Sequence, residues 1–353
     1  MNVAVTTTAE TKVSAPNASR LLLSDLPRDL GVRVRELHTK ISVWNLVCVL
    51  YPLAWFATAA TVQWLTAGRI AIPHWVIRVA GLVIIGIFIQ AIAILMHEAL
   101  HGNLFQSTRL NRWAMFAFGV PAFFSGTAYK MAHLNHHRQT RTEQDQDEIS
   151  NLYKTPAQYR AIFYALFFVA TFIYLFVVLP RAAIQMSTYR QRCAIALEYA
   201  ALVMIYSGVI IWGVSTGHTD WLLWYWILPM LVAMFLSNIR GLSEHLCTST
   251  DHVLGKTRTI RSNRLVSFLM LNLNYHLEHH LFPGVPWYNL RKVHRELQPV
   301  YIAARPFVER SYIRYALKAL FRGPFHEIRD SQQPRSTSNG VDRLLGMRLK
   351  RPQ

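Results

Sequence analysis

Charge is scarce in this chain. Only 16% of its 353 residues are Asp, Glu, Lys or Arg, against about 25% in an average soluble domain. Acid is scarcer still: 19 Asp and Glu face 37 Lys and Arg, a net +18 with a pI near 10.2. Three cysteines (Cys48, Cys193, Cys247) are too few to frame a fold of this size, which excludes a disulfide scaffold. There is no cysteine cluster for an iron–sulfur group and no glycine-rich dinucleotide fingerprint. Disorder is excluded by the opposite quantity, since 52% of the residues are hydrophobic. A basic chain usually suggests nucleic acid, but here the apolar residues form long runs, and a membrane is the partner those runs need.

A spanning helix takes about 20 mostly apolar residues. Trp44 to Leu65, Val79 to Met96, Ala161 to Leu179 and Trp221 to Ile239 are uncharged, and Ala194 to Val214 carries one acid, Glu198. Trp221, Trp224, Tyr225 and Trp226 open the last run as an interfacial belt does. Trp113 to Tyr129 is weaker, broken by Gly119, Pro121 and Gly126. Buried helices of a soluble core would show a polar face, and these runs do not. The first 42 residues lack the apolar core of a signal peptide. They read as an arm ending in a short amphipathic piece around Val32 to Ile41.

The basic residues orient the runs. All but two of the 37, Arg69 and Arg78, fall outside the link between the first two runs, and the link Ser215 to Asp220 has none. The positive-inside rule places both termini, residues 109–192 and everything after Arg240 in the cytoplasm. The expected fold is all-α: two transmembrane hairpins, 44–96 and 194–239, about four spanning helices, beneath a cytoplasmic helical cap. Ala161 to Leu179 has basic residues on both sides, so it is expected to lie in the interface or to enter and leave one leaflet. The organisation reads as an arm (1–42), a membrane domain with its cap (43–299) and a basic C-terminal segment (300–353) whose end, Pro334 to Gln353, has the composition of a mobile tail.

Nine of fifteen histidines form a pattern. His97 and His101 stand in His-Glu-Ala-Leu-His, His133, His136 and His137 in His-Leu-Asn-His-His, and His276, His279 and His280 in His-Leu-Glu-His-His. His245 follows the last apolar run. Residues three or four apart share one helix face, so each box aims imidazoles at one point, and imidazole is the commonest metal ligand near neutral pH. All nine fall on the predicted cytoplasmic side. Nine nitrogens exceed one ion and suit two ions of four or five each. The other six, His38, His74, His218, His252, His294 and His326, have no partner at ligand spacing and read as interfacial or solvated. A rival reading takes His97-Glu98-x-x-His101 as a zinc-protease motif, but it leaves the remaining clustered histidines unused.

At these boxes the sequence resembles the membrane fatty acid desaturase superfamily, over about Val79 to Leu290. The resemblance rests on the three boxes, their order, and the string Asn274-Tyr275-His276-Leu277-Glu278-His279-His280-Leu281-Phe282-Pro283. It implies a non-haem di-iron centre that activates dioxygen and removes hydrogen from an unactivated C–H bond. Its ligands would be His97, His101, His133, His136, His137, His245, His276, His279 and His280. Glu98, Glu244 and Glu278 are candidates to fix imidazole orientation; for Glu98 and Glu278 an ordinary ion-paired or solvated role stands as the alternative. Asp145, Asp147 and Glu148 resemble the family's acidic stretch after the second box, with Asp-Gln-Asp where Asp-Pro-Asp is frequent. The substrate implied is an acyl chain, as lipid or thioester, in a bacterial plasma membrane. A hydroxylase, a ketolase or a desaturase of another apolar or small substrate, such as a carotenoid, would share the same ligands. No His-Pro-Gly-Gly haem segment occurs, so electrons are expected from a separate ferredoxin, rubredoxin or cytochrome b5 type of protein. The basic cytoplasmic face suits such an acidic partner, and equally suits anionic lipid. Nucleic acid is not an expected partner.

Overall fold

The computed structural model describes residues 23–68, 71–148, 155–246, 248 and 253–323. Most of the N-terminal arm, the tail from Pro334, Arg69, Cys247, His252 and His326 lie outside the described residues. The chain is helical almost throughout. In order come α1 (Arg28–Glu36), α2 (Val47–Ala67), α3 (His74–Leu100), α4 (Thr108–Gly119), α5 (Gly126–Gln139), α6 (Pro156–Ile173), α7 (Leu179–Met186) and α8 (Tyr189–Ser215). Then follow α9 (Thr219–Leu222), α10 (Leu228–His245), α11 (Arg264–Leu269), α12 (His276–Leu281), α13 (Trp287–Glu296), α14 (Gln298–Ala304) and α15 (Tyr312–Arg322).

Helix starts follow local chemistry. Ser107 and Ser125 accept the backbone N–H of Leu110 and Ala128, opening α4 and α5. Thr155 with Gln158, and Thr188 with Gln191, form capping boxes at α6 and α8. The weak run 113–129 breaks as its glycines and proline suggest: α4 ends at Gly119, and Phe123 takes a left-handed φ of 60° before α5 begins. The amphipathic piece expected at 32–41 is displaced toward the N-terminus, because α1 starts behind Pro27 and ends by Leu37.

Helices α2 and α3 form one hairpin, and α8 with α9–α10 the other, joined around Gly217 at φ +72°. Where α3 lies against α10, Gly86 permits close approach: a Cβ there would meet Val232 at 2.7 Å and the Pro229 carbonyl at 2.9 Å. Large apolar side chains such as Trp64, Trp75, Leu197, Met204 and Ile211 face outward from these helices. In water that surface would be an error; in a bilayer it is the required one.

Five helices among the described residues are long and apolar enough to cross a membrane: Val43–Ala67, His74–Leu100, Ala157–Met186, Tyr189–Ser215 and Thr219–His245. That is one more than the about four expected. The additional one contains the run Ala161 to Leu179. It is continuous, α6 passing through a π-helical stretch (Tyr174–Val178) into α7. There is no reversal inside it, so the arrangement that enters and leaves one leaflet within this run is corrected. The reason is compositional: no Gly or Pro interrupts residues 161–179. Its first turns pack through Tyr159, Phe163 and Phe167 on Leu242 and Leu246 at the end of α10. Its last turn leads through Ser187 and Thr188 directly into α8. The end of α10 and the start of α8 are the same end of one hairpin, so both ends of α6–α7 meet that end.

The described residues after 299, up to Gly323, pack into the rest. The sequence boundary at 299 falls within α14. Val308 and Glu309 pair in parallel with Thr259 and Ile260. The buried face of α15 (Tyr315, Ala316, Ala319) completes the cluster over α6 and α10.

Candidate metal centre

Each histidine box sits where a helix stops. His97 lies in the last turn of α3, with His101 just beyond it. His133, His136 and His137 occupy the last turns of α5, and His245 ends α10. The third box is itself the short helix α12. Four separate segments thus converge at the same end of the helix bundle, and all nine imidazoles meet there.

They divide into two groups. One ring nitrogen from each of His97, His101, His133, His137 and His279 falls within a span of 4.8 Å. His136, His245 and His280 form a second such set, and His276 joins it, its Nε2 2.8 Å from that of His245 and 3.1 Å from that of His280. His137 and His280 stack with centroids 4.2 Å apart, so the groups are adjacent.

The donor set tests whether metal fits. Nε2 of His133 lies 2.9 Å from those of both His97 and His137, and Nε2 of His279 is 3.1 Å from that of His137. A neutral imidazole has one N–H and one lone pair. For His136 the proton belongs on Nδ1, which faces Asp145 at 3.0 and 3.1 Å. Nδ1 of His276 faces Glu244 at 3.3 Å, and Nδ1 of His97 faces Glu98 at 3.5 Å. Those assignments turn the Nε2 lone pairs toward one another, which is unfavourable without a cation between them. Separations near 3 Å are also the edges of a coordination shell with bonds of about 2.1 Å. His101 Nε2 is buried without a hydrogen-bond partner among the described residues. The residues fit two metal ions, one with five imidazoles and one with four.

Electrostatics agree. Burial pushes the pKa of His133, His137, His276, His279 and His280 well below the ordinary value, and that of His101 to about 3. These rings are neutral at pH 7, the form in which an imidazole can bind a metal. At His136 burial acts in the same direction, but Asp145, Asp147 and Glu148 outweigh it and raise the pKa to about 9. The same carboxylates make its free nitrogen a stronger donor to a metal.

The carboxylates sort differently from the sequence expectation. Glu244 faces His276 while held by Arg240 Nε at 3.1 and 3.2 Å and by the Tyr312 hydroxyl at 2.5 Å. Glu98 is 0% exposed, faces His97, and accepts the Trp287 N–H at 3.0 Å and Asn103 at 3.4 Å. Both bonds fall on Oε2, and it is Oε1 that faces the His97 ring. Glu278 has the bonding of the ion-paired alternative. Its oxygens accept from Thr259, Tyr301 and His294 at 2.6, 2.9 and 2.5 Å, and none of these bonds goes to the nine imidazoles. His294 is accordingly neither idle nor solvated: it is the partner of a buried acid. The pair is 16 residues apart in sequence, so no local spacing announced it. Asp145 was legible only as part of an acidic string. The structure makes it the direct support of His136, and it also accepts the backbone N–H of Arg141, which has φ 64°, and of Asp147.

A cavity of about 330 Å³ opens onto the imidazoles of both groups, His97 and His133 from one and His136, His245 and His276 from the other. Tyr129, Tyr174, Met96 and Phe124 are among its walls. A small molecule in it would reach both groups.

The family model for fatty acid desaturases matches residues 73–311. A dihydrorhizobitoxine desaturase from Bradyrhizobium elkanii is 25% identical over 295 residues, covering 79% of this chain and 82% of that protein. An sn-1 oleoyl-lipid 12-desaturase from Arthrospira platensis is 21% identical over 267 residues, covering 67% and 74%. The matched stretch exceeds half of the chain and contains all nine clustered histidines, and the chain therefore belongs to the fatty acid desaturase family.

Proposed function

We propose that this protein is a dioxygen-dependent membrane desaturase with two irons, held by His97, His101, His133, His137 and His279 and by His136, His245, His276 and His280. The observation that carries this reading is the pair of adjacent all-imidazole groups facing one cavity. When bound, the irons supply the oxidising power to break unactivated C–H bonds. In the net reaction two hydrogens leave adjacent carbons and a C=C bond forms. Dioxygen takes those hydrogens, two electrons and two protons, and leaves as two waters. The electrons come from a separate electron-transfer protein.

The chain's own residues do the rest. Asp145, Glu244 and Glu98 hold ring orientation and fix which nitrogen is free. Tyr312 and Arg240 hold Glu244 in turn, so α15 of the C-terminal segment supports a ligand on α12. Ile94, Met96 and Phe124 line the cavity and keep bulk water from the substrate. The acyl chain that the family implies is the first substrate reading. Polar groups in the same walls favour a second, a shorter or functionalised molecule.

The topology proposed has the imidazoles and both termini on the cytoplasmic side. Helices α6–α7 lie obliquely along that face, which agrees with both their ends meeting one end of the α8–α10 hairpin. A tag inserted at Thr216 is expected to be accessible from outside the cell, and a cytoplasmic tag overturns the arrangement. Metal analysis of the purified protein is expected to give two irons per chain. A single zinc without iron refutes the function. Lipid and small-metabolite profiling of cells with and without the gene then names the substrate.

A further inference from the structure

Two side chains in the cavity wall have no role in holding metal. Gln90 on α3 and Asn238 on α10 are 3% and 2% exposed. Gln90 Nε2 and Asn238 Nδ2 are both buried without a hydrogen-bond partner among the described residues. The Asn238 amide is not free to turn over. Its Oδ1 accepts the Thr171 backbone N–H at 2.6 Å and the Thr171 hydroxyl at 2.5 Å. A backbone N–H only donates, so it fixes Oδ1 toward Thr171 and leaves the NH₂ group directed elsewhere.

Their placement is matched. Gln90 stands seven residues before His97, and Asn238 seven before His245. Helices α3 and α10 both run toward the metal ligands and pack closely at Gly86 and Val232. Seven residues are two turns, about 10 Å of rise. The two unpaired amides therefore share one layer, about 10 Å below the imidazoles, and both belong to the wall of the same cavity. Tyr129, Tyr174 and Arg240 add hydroxyls and a guanidinium to that wall, the last already engaged with Glu244 through Nε.

A plain hydrocarbon segment would leave both NH₂ groups unpaired in a buried site, which is a costly arrangement. We infer that Gln90 and Asn238 form a recognition site for a hydrogen-bond-accepting oxygen on the substrate, within about 10 Å of the C–H bonds attacked. The substrate is then an oxygen-functionalised chain or small molecule bearing a hydroxyl, ether, carbonyl or carboxylate at that distance. The inference rests on reading this cavity as the substrate site. It makes Gln90 and Asn238 determinants of specificity and leaves the metal ligands as they are.

The test uses the full chain, iron-loaded, in phosphatidylcholine nanodiscs. The probes are octane, 1-octanol and octanoate, with dissociation constants from saturation-transfer NMR after subtraction of empty discs. At least one oxygenated probe is expected to bind about fivefold or more tighter than octane; the better of the two tells a neutral acceptor from an anionic one. Gln90→Met and Asn238→Leu are each expected to lower that probe's affinity by a similar factor and to leave octane unchanged. Equal affinity for all three probes in the unaltered protein, including none for any, overturns the inference without needing a variant to fold. So do variants of full iron content that hold the oxygenated probe as before. Iron stoichiometry and oxygen uptake are measured on the same sample, so the desaturase reading stands or falls separately.

Discussion

Asp145→Asn separates the two metal groups. The Asp145 carboxylate accepts from His136 Nδ1 at 3.0 and 3.1 Å and from two backbone N–H groups, those of Arg141 and Asp147. It is 3% exposed, so water does little to weaken these bonds. The amide keeps one acceptor oxygen, loses the charge, and sets an NH₂ against donors. A hydrogen bond to a charged group contributes about 1.5 to 3 kcal/mol, which corresponds to roughly tenfold to 150-fold in metal affinity. That agrees with the 10- to 100-fold typical when a group supporting a ligand is lost. His136 belongs to the four-imidazole group alone. The expected result is loss of one iron per chain under mild chelation, while the group containing His97, His101, His133, His137 and His279 keeps its own. The assay is elemental analysis after titration with a competing chelator. Two irons retained with an unshifted chelator midpoint would refute the support assigned to Asp145. Asp147→Asn is the control: Asp147 is 3.4 Å from the same ring and 29% exposed, so its effect should be smaller.

His279→Ala should abolish metal at the five-imidazole group and all turnover while the chain still inserts in membrane; full activity would remove His279 from the ligand set. Glu278→Gln and Glu244→Gln should part company. The first removes the charged partner of His294 and should lower the melting temperature with iron retained, whereas the second weakens support of His276 and should lower iron content; identical iron losses would contradict their different bonding. Gly86→Ala places a methyl 2.7 Å from Val232 and should cost about 1 to 3 kcal/mol through overpacking, and an unchanged melting temperature in detergent would show that α3 and α10 have room.

The apolar runs were legible because lipid imposes a length and a composition that any sequence displays. The boxes were legible because ligand spacing is a local property of a helix. His97 and His101, or His276 and His280, are four apart wherever the helix goes. Which imidazole joins which group was beyond that reach, since it depends on where α3, α5, α10 and α12 end in space. The run 161–179 misled in one respect. Charge marked both its flanks as alike, but only the tertiary structure showed one continuous helix, packed on Leu242 and joined to α8.

The sequence by itself determined that this is a membrane protein with nine imidazoles at ligand spacing, because periodicity, hydropathy and charge placement are written in near neighbours. Only the tertiary structure decided which acid serves which ring. Asp145 bonds His136 across a loop and Glu244 faces His276 across 32 residues, whereas Glu278, inside the third box, bonds His294. A carboxylate is held by whichever donors the fold brings within about 3 Å, and neither Thr171 beside Asn238 nor Tyr312 beside Glu244 leaves a trace in the spacing of residues. For the same physical reason the unpaired amides of Gln90 and Asn238 came to notice only once the helices were packed.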